Sequence, residues 1–264
     1  MILKRTLLIL LTCFTRWRKF KTPGRRVYIS MLLIPLLSVS CARPGAIRSD
    51  RASPVVYVAV GDSTGIGLGA RDGGGYVDRL FARIEQKRSG SKLMNLCTAG
   101  ATTADVVNKQ IVVLGDTRVT LATVCVGVND LLRGREEKQF AEDYETLVVK
   151  LRQSARLVIV ANLPDVACAP AMKGMKGEAL RSRLEKFNKA IEEVARRHGV
   201  PLADLYQLSG ETIRSRTEFF SSDGLHPSDL GYAHWAEAMW TVIEQAIDES
   251  NMENKSISHL ISHE

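Results

Sequence analysis

Pro54-Val-Val-Tyr-Val-Ala-Val-Gly-Asp-Ser-Thr-Gly-Ile-Gly-Leu-Gly-Ala70 is the stretch whose reading decides the fold. Val55 to Val60 are all apolar, the pattern of a short strand buried on both faces. The run stops at Gly61, and Asp62-Ser63-Thr64 follow before Gly65, Gly67 and Gly69. A hydroxyl is thereby expected at the carboxyl edge of a sheet, where open α/β folds bind ligands. The flanking glycines permit a tight turn and a close approach by a substrate. Taken alone, the stretch fits equally a Ser63 that only caps a following helix.

Downstream, strands and helices alternate. Val77, Leu80, Phe81 and Ile84 share one helical face within Tyr76–Gln86, and Lys92–Cys97 reads as a second strand. A turn at Gly100 leads to a helix capped by Thr102 or Thr103 and running to about Val113. Arg118–Val126 is a third strand, Lys138–Gln153 a helix and Arg156–Ala161 a fourth strand. The loop Asn162–Gly177 is long enough to suggest a lid or a binding wall. A strongly amphipathic helix follows over Glu178–Arg197, then a fifth strand over Val200–Leu205, a short helix near Glu211–Arg216 and a last helix from about Ser228 to Ile247. Alternation of this kind predicts an α/β fold with right-handed crossovers: a flavodoxin-like three-layer sandwich around a five-stranded parallel sheet of order 2-1-3-4-5.

Four short blocks fall at or just beyond the carboxyl ends of these elements: Gly61-Asp62-Ser63, Thr98-Ala-Gly100-Ala, Gly127-Val-Asn129-Asp130 and Asp223-Gly-Leu-His226-Pro227. In order and spacing, from about Val55 to Ile247, they resemble the SGNH (GDSL) hydrolase family of esterases and lipases, whose signature residues would here be Ser63, Gly100, Asn129 and His226. Gly231-Tyr232-Ala233 extends the likeness, and Thr64 stands where many members carry Leu. Gly-Asp-Ser-Thr-Gly also matches the G-x-S-x-G elbow of α/β-hydrolases. There the acid and the histidine come from separate strand ends, whereas Asp223 and His226 are three residues apart.

The resemblance implies a serine esterase acting through an acyl-enzyme on Ser63. A hydroxyl needs a base within reach, so His226 would take its proton and Asp223 would orient the imidazole. Ser63 N–H, Gly100 N–H and the Asn129 amide would form the oxyanion hole. The substrate would be a small-molecule, lipid or glycan ester (a short acyl ester, a lysophospholipid or an O-acetylated sugar), with no cofactor. An acyltransferase of the same fold and an exported binding protein with a degenerate site are the alternatives. Asp130 reads as a turn acceptor, Asp62 as a tether of its own turn, and Asp165 and Asp204 as less favoured triad acids. His198 suits a helix C-terminus, His234 a helix face, and Trp235 and Trp240 packing; His259 and His263 fall in the tail.

Composition divides the chain. Residues 1–51 hold eleven of the 36 Lys and Arg but one of the 29 acidic residues, so the remainder, with 25 basic against 28 acidic, is slightly negative. That argues against a nucleic-acid-binding surface. Arg25-Arg26, the apolar run Val27–Val39 and Ser40-Cys41-Ala42 describe an export signal. Ser38-Val39-Ser40-Cys41 resembles a lipobox, which would place a lipid on Cys41, although Ser38 departs from the usual aliphatic residue. The expected organisation is thus a leader over 1–51 with membrane association through the N-terminus, a hydrolase domain over 52–248 and a polar tail over 249–264. Cys97 and Cys125 lie in apolar runs as small buried hydrophobes, and no cysteine or histidine spacing suggests a metal.

Overall fold

The computed structural model describes residues 53–174, 177–210 and 216–261, with side chains as far as Ala246. Five strands form one sheet in the order β2-β1-β3-β4-β5, every pair parallel. They are β1 Val56–Gly61, β2 Lys92–Asn95, β3 Val119–Cys125, β4 Ala155–Ala161 and β5 Leu202–Ala203. The order reverses direction at β1, so β1 and β3 diverge to either side of a crevice at their carboxyl ends.

Alternation along the strands sends successive side chains to opposite layers. Tyr57 and Ala59 pack with α1 (Tyr76–Lys87) and with the last helix, whereas Val58 and Val60 pack against the other face. That second face is covered by a helical segment after β2, by α4 (Glu137–Ser154) and by α5 (Gly177–His198). Both faces of the central strands are therefore dry, which is why these strands read as continuous apolar runs rather than as alternating ones.

Several elements differ from expectation. The segment after Gly100 is α2 (Thr103–Asp105), a π turn over Val106–Gln110 and a 3-10 turn over Ile111–Leu114. Thr102 caps it, accepting from Asp105 N while the Asp105 carboxylate accepts from Thr102 N. The irregular winding keeps Val106, Val107, Ile111 and Leu114 in the core while turning Gln110 to the end of β1. The fifth strand is only two residues, because Pro201 lacks a ladder N–H and the Asp204 side chain instead accepts from Gln207 N, starting α6 (Leu205–Leu208). The second strand stops at Asn95, whose side chain bonds Gly65 O and Cys97 N.

The last helix, α7, runs from Asp229 to Ile261, past the end expected near Ile247 and into the polar tail; no Gly or Pro lies between Asp248 and Ile261 to stop it. α3 spans Val128–Leu132. The leader over 1–51 with Cys41, and residues 211–215 of the short helix expected there, lie outside the described residues. Among the described residues no helix is long and apolar enough to cross a membrane.

Packing between α4 and α5 carries much of one layer. Phe140 is fully buried, with its ring centroid 4.3 Å from that of Phe187 and 5.6 Å from that of Tyr144. Phe140→Ala is expected to remove about 3–5 kcal/mol of stability. Urea unfolding should show a lowered midpoint at unchanged slope.

Candidate active site

β1 ends against β3 so tightly that a Cβ on Gly61 would stand 2.3 Å from Cys125 O. Only glycine fits there, and its two backbone polar groups are both held by one side chain. Gly61 N–H donates to Gln110 Oε1 at 2.9 Å, and Gln110 Nε2 donates back to Gly61 O at 2.8 Å. Gln110 is buried, so these bonds also satisfy an amide that would otherwise be costly. Sequence reasoning missed this residue; the available signal was one amide among Val106, Val107, Ile111 and Leu114.

Beyond Gly61 the chain makes turns rather than a helix. Asp62 Oδ1 accepts from Thr64 N and Thr64 Oγ1 at 3.0 and 2.8 Å, the tether expected of it. Burial pushes the Asp62 carboxyl up, against the pull of the Thr64 bonds. Leu68 N bonds Ser63 O, and α1 begins only at Tyr76. Ser63 therefore caps no helix. The loop is moored instead to the start of α7: Asp229 accepts from Arg71 N, Asp72 N and Arg79, and Tyr232 Oη donates to Leu68 O at 2.7 Å.

Three residues before α7 stands His226. Its Nε2 lies 2.8 Å from Ser63 Oγ, and its Nδ1 lies 2.6 Å from Asp223 Oδ2. Asp223 Oδ1 further accepts from Leu225 N, His226 N and Ser221 Oγ at 2.8–2.9 Å. Burial raises the Asp223 carboxyl, but these hydrogen bonds together outweigh it and hold the group well below the usual carboxylate range. The turn is closed by Ser221 N donating to His226 O and by the bridge between Phe220 and Pro227. Ser221 was not legible in the sequence.

Gly100 and Asn129 line the same cleft as Ser63 and His226. Gly100 has φ +74°, the left-handed region that disfavours a side chain, and its carbonyl accepts from Arg133 at 2.8 Å. One N–H of the Asn129 amide is held by Ala101 O at 3.0 Å, which orients the group and leaves a second N–H on the same nitrogen.

The other candidates are accounted for structurally. Asp130, fully buried, accepts from Thr103 N and Oγ1 and joins α3 to α2. Asp165 pairs with Arg181, Asp204 caps α6 and bonds Asn162, His198 faces Glu145, and His234 meets the edge of Phe219. Trp240 is buried, with Lys87 over its ring. Trp235 packs against Tyr76 and Tyr232 and also reaches the cleft.

The cleft measures about 250 Å³. Its lining is largely apolar and includes Leu68, Val128, Leu132, Val166, Leu225 and Trp235. The long loop after β4 forms one wall through Pro164 to Cys168, folded into 3-10 turns over Val166–Cys168 and Pro170–Met172. Among the described residues no group of His, Cys, Asp and Glu could hold a metal ion.

Comparison with known proteins gives a consistent picture. The model of the GDSL-like Lipase/Acylhydrolase family matches residues 59–234. Esterase TesA of Pseudomonas aeruginosa is 21% identical over 198 residues, covering 75% of this chain and 92% of that protein. Among solved structures, a psychrotrophic esterase from Pseudoalteromonas sp., inhibited by monoethylphosphonate, superposes with a TM-score of 0.59 at 18% identity over 74% of this chain and 99% of its own. An acetylxylan esterase from Geobacillus stearothermophilus gives 0.58 at 16% identity over 72% and 94%. Such identities bear on the fold alone.

The protonation of Asp223 is open to test. The folded turn holds its pKa below the unfolded value of about 3.9, so its stabilising contribution is complete above that pH and is lost as pH falls through the folded value. Asp223→Asn should lower the thermal midpoint at pH 7, and the gap from wild type should narrow below about pH 4. A gap independent of pH would show that the carboxylate charge contributes nothing to the turn.

Proposed function

The chain belongs to the GDSL-like lipase/acylhydrolase family and is a carboxylic ester hydrolase, and we propose that it cleaves esters of aliphatic acyl groups through an acyl-enzyme on Ser63. The observation that carries this reading is the unbroken relay from Ser63 Oγ through His226 to Asp223, at 2.8 and 2.6 Å, opening into an apolar cleft.

As Ser63 Oγ bonds the carbonyl carbon, its proton passes to His226 Nε2 and the carbonyl π pair moves onto oxygen. Asp223 keeps the imidazole oriented and balances its charge; its own hydrogen bonds favour the ionised form. Ser63 N–H, Gly100 N–H and the second N–H of Asn129 are the donors assigned to the oxyanion. Collapse of the intermediate re-forms the carbonyl and expels the alkoxide, which takes the proton from His226. Water then gives a proton to His226 and adds to the acyl carbon; collapse returns that proton to Ser63 Oγ and frees the acid. The apolar lining favours an aliphatic acyl chain over the polar face of an acetylated sugar, because sugar hydroxyls would lose water there without replacement partners.

Full-length protein assayed on p-nitrophenyl esters of increasing chain length should turn over butyrate or longer esters better than acetate, and a fluorophosphonate should label Ser63. Ser63→Ala should abolish both. Asn129→Ala should lower kcat by roughly 10²–10³-fold with little change in KM, while labelling slows but persists. A normal kcat with only a lowered melting temperature would return Asn129 to a turn role.

A further inference from the structure

The edge of β4 that faces β5 is open at its amino end. Val160 N donates to Pro201 O and Asn162 N to Ala203 O, so every second residue of β4 turns its N–H and C=O toward β5. By that alternation Arg156 and Val158 aim theirs the same way. The ladder stops before it reaches them, because Pro201 has no N–H and β5 spans only Leu202–Ala203. Among the described residues neither has a backbone partner on that side. A pocket of about 170 Å³ lies against this open edge. Its walls are Arg152 near the end of α4, Arg156 to Val158, and the turn Gly199 to Pro201 after α5. In a parallel sheet this is the opposite end of the strands from Ser63.

Both arginines are exposed, and among the described residues neither guanidinium pairs with a carboxylate or bonds a carbonyl. Capping of the helix ends does not account for them. α5 closes on its own backbone, with Gly199 N on Arg196 O and Val200 N on Ala195 O, and α4 closes with Ala155 N on Leu151 O. The last turn of α5 adds Arg196, Arg197 and His198, of which the latter two share Glu145. Before β3, Asp116 and Arg118 contribute one charge of each sign. The pocket thus combines two free guanidinium groups with a free strand N–H, in a basic setting.

We propose that this pocket binds a dianionic phosphate group, free or as the monoester of a small molecule, between Arg152 and Arg156 with Val158 N–H as a further donor. Phosphate offers three acceptor oxygens and close to two charges, matching two guanidinium forks. A carboxylate, with one charge and two oxygens, would leave one fork unmatched. The open edge amounts to Arg156 and Val158, too short for an added peptide strand. The site is separate from ester cleavage, and no step at Ser63 depends on it.

The test titrates inorganic phosphate, glycerol 3-phosphate and acetate into full-length 15N-labelled protein at constant ionic strength, following the Val158 amide resonance. Both phosphates should shift it saturably, and acetate should bind at least about fivefold more weakly. Arg152→Gln and Arg156→Gln should each weaken phosphate binding about fivefold, the size of an exposed charge pair, with melting temperature unchanged. Arg156→Lys should keep part of the affinity. Lys138→Gln, at the far end of α4, should keep all of it. Tighter binding of glycerol 3-phosphate identifies a phosphorylated small molecule as the ligand, and equal or weaker binding identifies free phosphate; either supports the site. The proposal is overturned if neither phosphate shifts the resonance saturably or if acetate binds as well. It is overturned also if Lys138→Gln weakens binding as much as the arginine variants do, since bulk charge would then suffice. None of these readouts uses esterase activity, so failure of the hydrolase reading would show only in the ester assays and in the labelling of Ser63.

Discussion

The Ser63–His226 contact depends on a mooring between two stretches of chain more than 150 residues apart. The turns after Ser63 contain no helix to hold them, and their rigidity is borrowed from the first turn of α7. Asp229 receives two backbone N–H groups and an arginine from the loop, and Tyr232 closes the far end at Leu68 O. An acidic residue in the first turn of a long helix suits the helix dipole as well, so one carboxylate serves both local structures. Because His226 lies just ahead of that same helix, the nucleophile and its base share one foundation. Its strength does not lie in any single bond, most of which are half exposed, but in four bonds that must break together.

Around this foundation the site follows a consistent rule: polar groups needed at the surface are backed by polar groups satisfied beneath it. Asp223 is held by three donors besides the imidazole. Asn129 spends one N–H on Ala101 O, and Asp62 turns inward to Thr64. Each such bond fixes a rotamer that a substrate would otherwise have to order on binding, which is the meaning of preorganisation in a site of this kind.

Much of this was legible in the sequence, for reasons that differ between residues. The sheet order and its dry faces follow from apolar runs separated by helical spacing, and the chain behaves accordingly. Ser63, Gly100, Asn129, Asp223 and His226 stand out because each sits in a short block; the structure brings four of them to one cleft, with Asp223 behind His226. What the sequence hid were contacts whose partner is backbone. Gln110 and Arg133 grip carbonyl and amide groups of Gly61 and Gly100, and every residue has such groups, so no pattern marks the recipient. Ser221 is similarly anonymous. The π and 3-10 winding after Asp105 escaped because apolar spacing alone cannot distinguish it from a regular helix. The brevity of β5 escaped because Val200–Leu205 is apolar enough for a strand, whereas Asp204, capping Gln207 N and bonding Asn162, draws the chain away after Ala203.

The paired bonds between Gln110 and Gly61 have a bearing on how the molecule opens. A strand end normally frays by exchanging its last ladder bonds for water, one residue at a time. Here the final residue of β1 cannot leave without pulling a buried amide out of the helical segment behind it, and that segment cannot loosen without exposing the strand end. The two elements are thereby joined into one cooperative unit of local unfolding. The strand end from which the Ser63 loop departs is thus tied to the helical segment behind it, and the amide hydrogen of Gly61 should exchange with solvent only when that whole unit opens.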